Sequence, residues 1–256
     1  MPIEISGKSK VLIVVEANEQ ELPDSITNRK ILPTLKQAIA TSTNPPATVQ
    51  VVSTNSELNA SWQSNQQTEN ENSIVCPLTL NLPPNLNFEA QSVYQACRDV
   101  SKLRQRVAQQ LGYSTGDGCF WLPVVNTAKG PLYGEVIGIV GQASNAKLPQ
   151  NCSWDVSYYQ PFHLSDLLRQ QLYRLGFGLL KLLLASPATY LVQFGFQAQE
   201  ICFDRLWPFP AAPAIASISV QQPDLFACHW YCLNQVPIFD LLIIPTARDK
   251  GDRNLL

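Results

Sequence analysis

The sequence predicts a mixed α/β (α+β) protein, an antiparallel sheet with flanking helices preceded by a small α/β layer. Three observations predict it. Strand, helix and strand patterns alternate at the amino end, in "KVLIVVEA" (10–17), "ILPTLKQAIATS" (31–42) and "TVQVVST" (48–54). Two pairs of apolar runs flank short polar turns, in 119–141 and 189–206, and read as hairpins. Between them, apolar residues recur at three- and four-residue steps, the period of an amphipathic helix.

In order along the chain, "KVLIVVEA" is a buried strand. The helix that follows tolerates Pro33 because it falls in the first turn. No Gly-x-Gly-x-x-Gly turn follows the first strand, so the backbone cradle of a dinucleotide is not expected. Residues 53–73 are rich in Asn, Gln and Ser and form a polar loop, with Trp62 as its one large apolar side chain. "IVCPLTLNLP" (74–83) resumes a strand. Residues 88–112 read as one helix, with Val93, Ala96, Val100, Leu103, Val107 and Leu111 on one face and Gly112 as its stop.

"CFWLPVVNTAKGPLYGEVIGIVG" (119–141) is a hairpin turning at "NTAKGP", and 144–155 is a loop. The longest helix spans roughly 164–185, with Ser165 as its N-cap and Leu168, Leu172, Leu175, Leu179 and Leu182 on one face. Gly176 and Gly178 lower its propensity, which implies a close packing contact there. "TYLVQFGF" (189–196) and "EICFDRL" (200–206) form the second hairpin. "PDLFACHWYCLNQ" (223–235) is a helix, "IFDLLIIP" (238–245) a last strand, and 246–256 a polar tail. The division expected is 1–90 for the small α/β region, 91–245 for the sheet domain and 246–256 for the tail.

Of the 256 residues, 45% are hydrophobic, enough for a sizeable core, and only 15% are charged, against roughly 25% in an average protein. A net charge of -2 gives no general attraction to nucleic acid. Lys102, Arg104 and Arg106 read as a solvated helix face. The seven scattered cysteines, with no leader pattern at the amino end, suggest buried thiols in a reducing, cytoplasmic setting. The run "LGFGLLKLLLA" is too short for a bilayer, which needs about 20 apolar residues, and contains Lys181.

Catalytic motifs are scarce. Cys228, His229 and Cys232 lie within about one helical turn, but a structural zinc site wants four ligands, and the reading is core packing. No Gly-x-Ser-x-Gly elbow is present, and nothing selects a nucleophile among the cysteines. "STGDG" (114–118) lacks the Lys-Ser/Thr of a phosphate loop. What stands out is "EICFDRLWPFPAAPAIASI" (200–218), a strand ending in a charged pair and followed by Trp207, Phe209 and three prolines. If the hairpin is antiparallel, Gln193, Asp204 and Arg205 face one pocket. The plain alternative is a surface salt bridge and a stiff loop.

The order of the long helix, "TYLVQFGF", "EICFDRLWPFPAAPAIASI" and "PDLFACHWYCLNQVPI" resembles the carboxy-terminal part of the ATP-grasp fold. Within it the pattern is similar to the carboxyaminoimidazole ribonucleotide synthases, the ATPase subunits of phosphoribosylaminoimidazole carboxylase. Asp204 to Pro210 falls on their Asn-Glu-x-Ala-Pro-Arg stretch, Phe226 and His229 on Ser-Gln-Phe-Glu-x-His, and Val236-Pro237-Ile238 on Leu-Pro-Leu. "ACRDVSKLRQRVAQQLGYST" and "WLPVVNTAKG" match a helix and a strand further upstream. The resemblance implies magnesium and ATP held by glutamates on two strands, but this chain has Gln193 and Arg205 there. A neutral amide is a poor magnesium ligand and a guanidinium repels the ion. Phe209 and "AAPAI" replace the family's phosphate-binding run, and only "GDG" stands where its lid belongs.

The resemblance with these departures implies a degenerate ATP-grasp protein without a catalytic set. It is expected to bind a protein partner or small ligand, or to form a homodimer, with no cofactor, metal, nucleic acid or membrane. Gln193, Asp204, Arg205, Trp207 and Phe209 would mark the relic cleft. One alternative is an ATP-dependent carboxylate–amine ligase or carboxylase-type enzyme using ATP and magnesium, with oxygens from Glu135, Asp155, Glu200 and Asp204. Another is a structural or assembly protein presenting the Leu-rich helix or Trp154, Tyr158, Tyr159 and Phe162, aromatics that otherwise pack on their own core.

Overall fold

The structure is a computed structural model and describes residues 10–17, 20, 22–43, 47–54, 73–84, 86–140, 157–197 and 200–244. The chain divides into two compact units, Met1–Gln91 and Ser92–Leu256. Most of the 53–73 loop, all of the 144–155 loop and the 246–256 tail lie outside the described residues, as do Trp62, Trp154 and Asp155.

In the first unit, β1 (Lys10–Val15) lies between β2 (Thr48–Ser53) and β3 (Ser73–Pro77), parallel to both. A central parallel strand is covered on both faces, which is why "KVLIVV" is nearly continuous in apolar residues rather than alternating. Helix α1 (Leu32–Ser42) continues directly from a π-helical turn at Thr27–Ile31, and Pro33 sits at the junction of the two. Leu32, Leu35 and Ile39 are buried at helical spacing.

In the second unit the expected single helix over 88–112 is two. Helix α2 (Gln91–Arg98) ends before Asp99, and α3 (Val100–Leu111) restarts after it. The Asp99 carboxylate accepts the backbone N–H of Lys102, an N-cap in mid-pattern that periodicity alone does not register. Gly112, at φ 73°, closes α3 in the left-handed region.

The sheet runs β4 (Ser114–Thr115), β10 (Glu200–Trp207), β9 (Ala188–Gln197), β5 (Phe120–Thr127), β7 (Val136–Ile139), β8 (Tyr158–Phe162), with β6 (Gly130–Tyr133) also paired to β5. The expected 119–141 hairpin turns at Gly130, but its return arm is broken at Gly134 and Glu135 into β6 and β7. The second hairpin, β9 to β10, is antiparallel as expected.

Register separates two faces of the sheet. Phe120, Leu122 and Val124 share one face with Phe194, Val192 and Tyr190. Helix α4 (Asp166–Leu183), capped by Ser165, covers this face with Leu172, Leu175, Leu179 and Leu183. The compensating contact expected at Gly176 is present: a Cβ there would lie 3.2 Å from Val124 and 3.6 Å from Leu122. Gln193, Leu191, Thr189, Trp121 and Arg205 point to the opposite face.

Over that second face runs the carboxy-terminal segment, a 3-10 helix at Ala212–Ser217 and then α5 (Leu225–Leu233). Gln221 hydrogen-bonds Gln160 and abuts Pro123 through Gly134, which fixes the segment on this side. Asp224 caps α5 by accepting the N–H groups of Phe226 and Ala227. The strand expected over 238–245 reduces to β12 (Leu242–Ile243), paired with β11 (Gln221–Gln222). Ile238 is buried, but Phe239, Leu242 and Ile244 are exposed, so most of the apolar run reports no burial.

Candidate functional site

The hairpin brings Gln193, Asp204 and Arg205 together, and the register explains how. Phe203 pairs with Phe194 and Arg205 with Gln193, leaving Asp204 as an extra residue in a β-bulge. A bulge re-aims a side chain. Here it turns the Asp204 carboxylate inward, where it is 1% exposed.

That carboxylate is fully occupied. Its Oδ1 accepts Arg104 Nη2 at 2.6 Å and Arg205 Nε at 3.2 Å. Its Oδ2 accepts Gln193 Nε2 at 2.9 Å and the Gly118 backbone N–H at 3.0 Å. A carboxylate offers about four lone-pair positions, and four donors fill them. Arg104 donates in addition through Nε to the Asp204 carbonyl at 2.9 Å, and through Nη2 to Asp117 Oδ1 at 2.8 Å. Two guanidinium groups and two carboxylates make the cluster neutral.

Burial works against the Arg104 cation, but its hydrogen bonds to Asp117 and Asp204 and their charges outweigh it. Its pKa lies above the ordinary arginine value. The reading of a solvated face is thus corrected for Arg104 and Arg106, while Lys102 is exposed as expected. Arg104 is turned under the sheet edge onto Asp204, and Arg106 donates to the Leu182 carbonyl at 3.0 Å that ends α4. The alternative of a surface Asp204–Arg205 bridge fails as well, because the acid is buried and Arg104 is its shorter partner.

Gln193 is equally committed. Its amide N–H groups go to Asp204 and, at 2.7 Å, to the Gly118 carbonyl, while its oxygen accepts Trp207 Nε1 at 2.9 Å. The Arg205 guanidinium lies 5.7 Å from the Trp207 ring, a cation–π contact. Trp207 meets Phe209 edge-on at 6.0 Å, and Phe209 stacks on Tyr94 at 5.9 Å. The Tyr94 hydroxyl donates to the Pro208 carbonyl. The aromatic and proline residues of 207–210 therefore pack on the body of the unit, and Phe209 is buried.

The "GDG" stretch, Gly116–Gly118, crosses from β4 to β5 over this end of the sheet. It lies backbone to backbone on β9. A Cβ on Gly118 would be 2.0 Å from the Phe194 carbonyl carbon, and one on Gly195 would be 2.7 Å from the Asp117 oxygen. Only glycine at both positions permits that approach.

The remaining expected residues are not gathered at the cluster. Glu200 is exposed at the far end of β10 and Glu135 lies between β6 and β7. Among the described residues, no group of three or more His, Cys, Asp or Glu side chains is placed to hold a metal ion. Cys228, His229 and Cys232 are buried in α5, and His229 Nδ1 accepts the Thr189 N–H at 3.2 Å. Tyr158 packs edge-on against Trp121 and Phe162 against Phe120, so these aromatics of β8 serve the core. Among the described residues, no helix is long and apolar enough to cross a membrane.

Three participants escape the sequence reading: Arg104, Asp117 and Gly118. Arg104 and Asp204 are a hundred residues apart, and no local pattern joins them. The available signal was the helical phase of Arg104, next to Leu103 and one turn before Val107 on the buried side of α3.

No family model and no curated protein matches this chain. Solved structures do. Glycinamide-RNase-transformylase T from Mycobacterium tuberculosis matches with a TM-score of 0.65 at 15% identity, over 92% of this chain and 82% of that one. N5-carboxyaminoimidazole ribonucleotide synthetase from Thermus thermophilus gives 0.62 at 10% identity, over 90% and 79%. L-amino acid ligase from Bacillus licheniformis gives 0.61 at 12% identity, over 88% and 74%. These neighbours are ATP-grasp proteins, and the fold of this chain is theirs.

Proposed function

We propose that this chain is a non-catalytic protein on an ATP-grasp scaffold, which binds a protein partner or small ligand and does not use magnesium-ATP. The observation that carries the reading is the saturation of Asp204. Each of its oxygens already accepts two protein hydrogen bonds, and two of the four donors are cations. A magnesium ion needs anionic oxygens with free lone pairs at about 2.1 Å. To reach Asp204 it must displace Arg104, which would keep only Asp117, and Arg205, and so break two charge-assisted contacts to a buried acid. The close backbone approach of Gly118 to β9 supports the same reading, since it leaves no room between them for a ligand atom.

Isothermal calorimetry with magnesium-ATP, beside a phosphate-release assay, tests it. The expected result is no heat of binding and no hydrolysis. Hydrolysis abolished by Asp204→Asn would overturn it.

The second reading is an ATP-dependent carboxylate–amine ligase with rearranged ligands. It is favoured by the likeness to an L-amino acid ligase and an N5-carboxyaminoimidazole ribonucleotide synthetase. It requires Glu135 or Glu200 to move to Asp204. Saturable magnesium-ATP binding lost on Glu135→Gln or Glu200→Gln would favour it.

A further inference from the structure

Five buried side-chain polar atoms have no hydrogen-bond partner among the described residues, and four of them lie on the sheet face away from α4 or on α5 over it. Trp121 Nε1, Gln160 Oε1 and Thr189 Oγ1 point to the sheet face away from α4, and His229 Nε2 is on α5, which lies over it. Each of these four residues is less than a tenth exposed. Buried polar groups are nearly always paired, by protein or by ordered water, so four orphans at one interface need a common explanation.

Their orientations are fixed by their neighbours. Gln160 Nε2 donates to the Glu135 carbonyl at 2.9 Å and to Gln221 Oε1 at 3.2 Å. Turning the amide over would set its oxygen against two acceptors. Gln221 is held in turn, because its Nε2 donates to the Pro223 carbonyl at 2.9 Å. Gln160 Oε1 therefore faces away as an acceptor. Trp121 Nε1 is a donor only. His229 Nδ1 accepts from Thr189, so the ring proton is on Nε2 and that atom is a donor.

Trp121 and Gln160 are close in register as well as unpaired. Trp121 pairs with Ile137 of β7, and the next strand, β8, carries Gln160 opposite that same stretch. Tyr158, two residues before Gln160, touches the Trp121 ring with centroids 5.4 Å apart. One unpaired donor and one unpaired acceptor thus flank Ile137 on the covered face, with no net charge between them. The matching guest is small, neutral, and both donor and acceptor.

We propose that this interface is a hydrated seam, with an ordered water accepting from Trp121 Nε1–H and donating to Gln160 Oε1. The inference does not rest on the non-catalytic reading, since it concerns the seating of the carboxy-terminal segment in either case. A buried water is kept where it makes two to four hydrogen bonds, and it substitutes for direct contact without an apolar seal.

A crystal structure at a resolution that shows waters tests the proposal, with a double-mutant cycle of Trp121→Phe and Gln160→Met followed by urea unfolding. The expected result is a water within about 3.5 Å of both Trp121 Nε1 and Gln160 Oε1. Each single variant should lower the folding constant about fivefold, and the double variant should lose less than the product of the two. A dry, direct contact between Trp121 Nε1 and Gln160 Oε1 would overturn it. So would additive effects in which Trp121→Phe leaves stability unchanged or raises it. The crystallographic arm stands even where a variant fails to fold.

Discussion

Arg104 and Asp204 are joined twice, by Nη2 to the carboxylate at 2.6 Å and by Nε to the backbone carbonyl at 2.9 Å, across a bulge in β10. A two-point contact of this kind holds the strand as well as the charge. The guanidinium plane matches the pair of acceptors, which a lysine cannot do.

Arg104→Met should therefore destabilise the second unit by about 2–3 kcal/mol, because it leaves a buried carboxylate short of its main cation. Arg104→Lys should recover less than half of that. Urea midpoints of the three proteins at neutral pH check the order.

Gln193→Glu places a second carboxylate where the Asp204 and Gly118 contacts now require an amide donor. A loss of about 2 kcal/mol is expected at pH 7, from two carboxylates facing each other without the amide donor. In the Arg104→Ala, Gln193→Glu double variant, millimolar magnesium should raise the melting temperature, and it should not do so in the parent. Thermal scans with and without the ion decide this.

Gly118→Ala should be the most damaging methyl addition among the described glycines, costing about 3 kcal/mol or more, since its Cβ would meet main chain at 2.0 Å. Gly112→Ala is the control. That residue has φ 73° and no heavy atom within 4 Å of the added carbon, so only backbone strain of about 1–2 kcal/mol is expected. Soluble yield and urea midpoints should separate the two.

Burial lowers the His229 pKa from 6.5 to about 3, and the folded chain holds the ring neutral while the unfolded chain protonates it below 6.5. The unfolded state binds more protons through that window, so stability is complete above pH 6.5 and falls as the pH drops toward 3. The slope approaches about 1.4 kcal/mol per pH unit from this group alone. Asp224, whose pKa burial raises, works in the opposite direction. Comparison with His229→Gln, which keeps an acceptor for the Thr189 N–H, isolates the histidine. Its urea midpoint should vary less between pH 4 and 6.5.

Much of the sheet domain was legible because its strands are buried on both sides and its turns are short. The 189–206 hairpin follows from two apolar runs and a three-residue connection, and with it the meeting of Gln193 and Arg205. The bulge was not legible, because nothing in "CFDRL" distinguishes an in-register Asp204 from an extra one. Arg104 was misread for a related reason. A charged residue on a helix is exposed by default, and only the buried acid a hundred residues later overrides that. Asp99 divided a helix whose apolar rhythm continues across it, since a side-chain cap competes with the helix without disturbing the period. The apolar "IFDLLIIP" stayed mostly unpaired because hydrophobicity alone supplies no partner strand.

The crossing of Gly116–Gly118 over β9 limits what substitution can do. Exchanging side chains at Gln193, Arg205 or Arg104 alters charge but not the length of the tether between Thr115 and Cys119. Three residues pressed on a strand cannot act as a hinge. Under the non-catalytic reading, nucleotide chemistry would require insertion of new chain at that crossing, which point mutation does not provide.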